Sequence, residues 1–146
     1  YALPIKSVDF RYYEHEKAIT YCRVSLERLR KAYGWYSERK IRILGFSHHG
    51  RELSKSLVPD GIFLNSKGER FAFEFESTRK ARGRYESKVH DYRMAIARGL
   101  FEYVLYVLYE NEVARELVNV AGGRGDIVIE HYSHFLSKLM PAGVKL

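Results

Sequence analysis

Between Arg70 and Glu76 the chain reads RFAFEFE, and this alternation limits the fold more than any other stretch. Successive side chains of an extended strand point to opposite faces. Phe71, Phe73 and Phe75 therefore share one face, and Ala72, Glu74 and Glu76 share the other. Three phenylalanines on one side mark a surface that faces a core. Two acids on the other side are hard to explain by folding, because like charges at close range repel and raise each other's pKa. Such a pair calls for a cation, a basic partner or open water.

The neighbours of this strand follow from the same kind of reading. Gly61–Leu64 is a second short strand, joined to the first through Asn65-Ser66-Lys67-Gly68, a hairpin-type turn. After Ser77-Thr78, either one a candidate cap, a helix is predicted from about Arg79 to Arg98 with Ala81, Tyr85, Val89, Tyr92 and Ile96 on its inner face. Phe101–Tyr109 is apolar enough for a buried central strand. Asn111–Val120 reads as a helix capped by Asn111, Gly122 to Gly125 as a turn, Asp126–Glu130 as a last strand and Ser133–Leu139 as a short helix. Upstream, residues 1–10 form an irregular lead-in and Glu14–Tyr33 a helix that Gly34 is placed to stop. Trp35–Leu44 is ambiguous, with IRIL favouring a strand, and Gly45–Ser56 is a polar loop holding His48 and His49. Residues 140–146 form a short tail. The sum is an α/β protein, a mixed β-sheet flanked by helices, in a single domain over residues 1–146.

Composition narrows the setting. A chain of 146 residues suits one core, and its apolar and aromatic content argues against disorder. The net charge of +7 favours a polyanionic partner. A lone cysteine, Cys22, fits a reducing compartment and excludes a disulfide framework or a cysteine zinc site. No apolar run reaches membrane-spanning length and no secretory signal is recognisable, so a cytoplasmic location with no membrane partner is expected. Tyr1 in place of Met is consistent with a domain taken from a longer protein.

Antiparallel pairing across the Asn65–Gly68 turn brings the start of the first strand opposite the end of the second. Asp60 and Glu74 then lie side by side although far apart in sequence. Two carboxylates with a backbone carbonyl make a hard-oxygen site for Mg²⁺ or Mn²⁺. Such an ion polarises a phosphoryl oxygen and activates water, and a nearby lysine stabilises the charge that develops.

An Asp after Pro on one strand and Glu-x-acid on the next resemble the nuclease superfamily named for its PD-(D/E)xK motif. His15, Trp35-Tyr36-Ser37-Glu38, Val58-Pro59-Asp60, Glu74-Phe75-Glu76-Ser77-Thr78, Lys80, Arg84-Tyr85 and Tyr92 are similar to the replication-relaxation family of plasmids and mobile elements. The resemblance spans about Glu14 to Ile96. It implies a restriction-endonuclease-like fold, DNA as partner, Mg²⁺ or Mn²⁺ as cofactor, and nicking or cleavage in replication or transfer, with a winged-helix segment commonly preceding the nuclease-like domain. It also implies roles: Asp60 and Glu74 as metal ligands, Glu38 as an extra ligand, and Asp60, Glu74, Glu76 and Lys80 as the catalytic set. Arg79, Arg82, Arg84 and Lys88 would hold the DNA backbone. One departure stands out, because Glu76 occupies the position usually taken by lysine. Lys80 or Lys88 would then substitute from the following helix, where Lys80, Arg84 and Lys88 are expected on one face.

Each assignment has a plainer counterpart. Asp60-Gly61 is common turn chemistry. Glu74 and Glu76 would serve equally as an exposed strand face paired with a basic helix. Lys80 and Arg84 would then merely balance those acids, and Glu38, His15, His48 and His49 would be structural or surface residues. Tyr85 and Tyr92 fit core positions better than base-stacking platforms. If no lysine reaches the acids, the fold serves DNA or partner binding without cleavage, and a basic face meeting an acidic protein is a third possibility.

Overall fold

A computed structural model describes residues 10–139. The expected lead-in before Phe10 and the tail after Leu139 lie outside the described residues. The chain runs α1 (Phe10–Arg28), β1 (Tyr33–Ser37), α2 (Glu38–Leu44), β2 (Ser47–His48), β3 (Arg51–Glu52), β4 (Gly61–Leu64), β5 (Arg70–Glu76), α3 (Arg82–Ala97), β6 (Tyr103–Leu108), α4 (Asn111–Ala121), β7 (Ile127–His131) and α5 (Tyr132–Leu139). Five strands make one sheet in the order β1-β4-β5-β6-β7, and β2 pairs only with β3. β1, β4 and β5 are antiparallel neighbours, whereas β5, β6 and β7 run parallel. The expected mixed sheet flanked by helices is therefore the architecture observed.

The alternation in β5 sorts two cores. Phe73 and Phe75 join Phe63, Trp35, Leu105 and Val107 beneath α1 and α5, with Ala18, Ile19, Cys22, Phe135 and Leu136 closing that side. Ala72, Ile62, Val104, Tyr106 and Leu108 face α3 and α4 through Tyr85, Val89, Tyr92, Val113 and Leu117. Burying each large apolar side chain contributes about 1.5–3 kcal/mol. Trp35 stacks on Phe63 at 5.2 Å between ring centroids and leans on Phe73 at 5.4 Å. Its ring lies directly over Gly61, where a Cβ would fall 2.4 Å from Trp35 Cζ2. Only glycine fits there, so β4 starts at a backbone pressed against an indole.

Several elements differ from the sequence-based expectation. α1 stops at Arg28, because Arg30 takes φ 56° and the amides of Lys31 and Ala32 fold back onto Leu26 O. Gly34 is not the stop, since it lies inside β1 with φ 60°. The IRIL segment is helical: the Ser37 hydroxyl caps α2 by accepting from the Lys40 amide, and only Ile41 is buried. The polar loop contains the β2–β3 hairpin, turned through His49 and Gly50 at φ 52° and 74°. Glu110, not Asn111, holds the cap position of α4, without a side-chain bond. α3 begins at Arg82, three residues later than expected, and its other end is tied down where Arg93 Nε donates to Asp126 Oδ2 at 2.9 Å.

Candidate functional site at the end of the central strands

β4 and β5 pair with Gly61 opposite Phe73, which carries Asp60 to the level of Glu74 as the hairpin argument requires. Asp60 has left the ladder, yet its side chain continues it: Oδ2 accepts from the Phe75 amide at 2.8 Å. The other oxygen, Oδ1, faces His15 Nε2 at 3.4 Å. His15 comes from α1 and packs edge-on against Phe75 at 5.6 Å. A hydrogen bond to Asp60 raises the His15 pKa above its ordinary value, against the lowering effect of burial. Asp60 is therefore gripped by a strand amide on one side and an imidazole on the other.

The acids of β5 are buried, not exposed. Glu74 is 2 % and Glu76 4 % accessible. Of the plainer alternative, the exposure is thereby removed but the pairing with basic residues is observed, and the price of burial has to be offset by such partners. Glu74 Oε1 accepts from the Tyr92 hydroxyl and lies 3.1 Å from the Lys88 ammonium. Burial, followed by the negative charge of Asp60, pushes the Glu74 carboxyl up to about 8 even with Lys88 beside it. Burial alone would lower the Lys88 ammonium, but Glu74 more than offsets this and raises it. Glu76 Oε2 meets the Lys80 ammonium at 2.8 Å. The Lys80 amide in turn donates to the Tyr85 hydroxyl at 2.8 Å, which holds the segment entering α3.

The geometry corrects the expected lysine arrangement. Lys80 precedes α3, because Ala81 is extended (φ −59°, ψ 141°), so Lys80 does not share a helical face with Arg84 and Lys88. Lys88, assigned above to the DNA backbone, is the cation against Glu74, while Lys80 neutralises Glu76. Glu38 is drawn to Arg42 at 2.9 Å one turn along α2. Arg79 pairs with Glu116 and lies 3.9 Å from Glu112, joining the loop before α3 to α4. Arg82 pairs with Glu86 at 2.9 Å, and Arg84 is exposed on the first turn. A cleft of about 460 Å³ beside α1 and α2 carries Asp60, Glu38, Arg23, Arg39 and Arg42 in its wall.

Among the described residues no three His, Cys, Asp or Glu side chains form a metal cage. Mg²⁺ needs none: it is commonly held by one or two carboxylates together with water and substrate phosphate. Asp60 and Glu74 are two carboxyl groups close enough for the charge of Asp60 to act on Glu74. The buried Tyr106 hydroxyl, which has no hydrogen-bond partner among the described residues, adds a polar group within electrostatic reach of Glu74, Glu76 and Asp60. Tyr106 is the direct neighbour of Glu74 on β6. Its position follows from parallel pairing, for which the spacing of the sequence carries no signal. Tyr92 was legible only as a core residue, although its hydroxyl orients Glu74.

The elevated Glu74 carboxyl has a thermodynamic consequence. Its folded value of about 8 exceeds the ordinary 4.5, so the folded state binds more protons between those values and stability falls as pH rises through them. His15 acts in the same direction, since its stabilisation is complete below 6.5 and is lost as pH passes its raised folded value. Thermal unfolding at low salt is expected to show a melting temperature that declines from pH 5 to pH 8. Subtracting the profile of Glu74→Gln is expected to remove most of that decline. A slope unchanged by the substitution would contradict the assignment.

No family model matches the chain, and no curated protein matches it significantly.

Proposed function

We propose that the protein binds DNA and breaks its phosphodiester backbone with Mg²⁺ or Mn²⁺, nicking or cleaving as a restriction-endonuclease-like fold would. The observation that supports this reading is buried Glu74 held against the part-exposed Lys88 ammonium at the level of Asp60. Folding alone gains little from a buried carboxyl group and the ammonium drawn to it, since apolar residues of similar size serve as well. Retaining both beside a second carboxylate is what phosphoryl chemistry requires. Asp60 and Glu74 would hold the ion, which when bound supplies charge neutralisation and an acidified water. Lys88, freed from Glu74 by that charge, would donate to a non-bridging phosphate oxygen and stabilise the negative charge that builds there. The Tyr92 hydroxyl and the Phe75 amide fix the two carboxylates, and Arg84, Arg82 and Arg79 offer phosphate contacts along the outer rim. The proposed setting is replication or transfer of a plasmid or mobile element, with a preceding winged-helix domain as a candidate partner.

One observation favours a second reading. Glu76 stands where the superfamily carries lysine and is satisfied by Lys80, so a non-catalytic DNA-binding or partner-binding module of the same fold is the alternative. Supercoiled plasmid incubated with wild-type protein separates the two. Open-circular product with Mg²⁺ or Mn²⁺, abolished by a chelator, is the expected result. Salt-sensitive DNA binding with no product under either metal would overturn cleavage in favour of the binding module.

A further inference from the structure

The aromatic side chains beside the site continue past the core. His15 contacts Phe75, Phe75 meets the Tyr132 ring edge-on at 5.4 Å, and Tyr132 lies against Tyr109 at 6.0 Å. Four rings thus run from Asp60 to the surface. The first three are accounted for by packing. Tyr109 is not, because it is 60 % accessible and immediately follows the residue of β6 that pairs with Glu76. Its amide donates to Glu76 O at 3.0 Å, so its backbone lies at the end of the sheet that carries the acids, while its ring turns to the Tyr132 side. The run extends sideways to α1. Tyr21 lies close enough to Tyr132 to act on it electrostatically, is exposed, and has the Lys17 ammonium 5.9 Å from its ring centroid. Tyr13, one turn before Lys17, is also exposed.

A surface of exposed tyrosines interleaved with a cation suits bases that are already unstacked. In duplex DNA the flat faces of the bases are covered, so such rings have nothing to stack on, whereas a single strand offers every base face. Glu14 and Glu110 border the patch and would repel phosphates, so the backbone is expected to follow the cationic side, with Lys17 and the chain's net charge of +7 supplying attraction. We propose that Tyr109, supported by Tyr132 and flanked by Tyr21, is a stacking platform for unpaired nucleotides at the end of the sheet that carries the acids, making single-stranded or branched DNA the substrate class. This rests on the DNA reading above and deepens it.

The test uses fluorescence anisotropy with a labelled single-stranded oligothymidylate and a labelled hairpin duplex of equal phosphate number, at low salt with Ca²⁺ replacing the catalytic ion. Wild type is expected to bind the single strand several-fold more tightly. Tyr109→Ala is expected to weaken the single strand about tenfold while changing duplex binding less than twofold, the loss of one stacked base. Tyr109→Phe keeps the ring and is expected to bind as wild type. The side chain is exposed, so a thermal melt close to wild type should accompany each variant. Equal losses on both ligands, or none on either, would overturn the platform while leaving DNA binding intact. Failure of wild type to bind either oligonucleotide would overturn the DNA reading itself.

Discussion

Asp60→Asn is expected to lower metal-dependent nicking on the order of a thousandfold while the protein stays folded. Asparagine is nearly the same size and keeps an oxygen to accept the Phe75 amide now bound at 2.8 Å. Its amide group can turn towards His15, whose ring nitrogen can accept once the imidazole is neutral. The substitution therefore removes one charge from the pocket and little else. With only Glu74 left, a hard cation would lose half of its proposed protein carboxylates and would lend less acidity to a water it held. The measurement is the initial rate of open-circular product, with unfolding by heat or urea as the control. Nicking within a few-fold of wild type would remove Asp60 from the machinery. Removal of the charge should also reduce the upward push on Glu74, which comes from burial first and Asp60 second.

The second large effect concerns Lys88. On the proposed reading, Lys88→Met is expected to reduce nicking about a hundredfold without a comparable loss of DNA affinity, because the ammonium would stabilise charge that develops only as the bond breaks. Truncating one member of a buried ion pair ordinarily costs several kcal/mol. Here the cost is blunted, since Glu74 already holds its proton up to about pH 8 and can remain neutral beside the Tyr92 hydroxyl. Lys80→Met provides the contrast. Its partner Glu76 has no second side-chain donor among the described contacts, so this variant should lose stability more than it loses chemistry. A thousandfold loss in Lys80→Met with Lys88→Met unaffected would reverse the assignment of the two lysines.

The hairpin carried most of what was legible. Alternation in Arg70–Glu76 and the Asn65–Gly68 turn determine a register that places Asp60 opposite Glu74, and the structure keeps that register. What the chain could not disclose was depth. β5 is covered on both faces, because α3 closes over Glu74 and Glu76 with Tyr85, Tyr92 and Lys88. A strand with acids on one side reads as half-exposed unless the helix above it brings cations. The shared face expected for Lys80, Arg84 and Lys88 failed for a related reason: Arg79, Lys80 and Ala81 have helical propensity, yet α3 starts only at Arg82, with Ala81 extended and the Lys80 amide bonded to the Tyr85 hydroxyl. IRIL was misread because four apolar residues fit either period, and the decisive cue was the Ser37 cap just upstream. His15 was visible only as a hydrogen-bonding helix residue, since its partner Asp60 is brought to it by the tertiary fold.

The acids of this pocket ride on the sheet while the cation facing Glu74 rides on a helix, and that helix is secured unevenly. Arg93 clamps its far half to Asp126, whereas its first turn has no side-chain cap. Between them Tyr85, Val89 and Tyr92 seat the helix on the sheet, so Lys88 is held over Glu74 by apolar packing as much as by its own charge. The charge balance of the pocket is thus tied to the core beneath it.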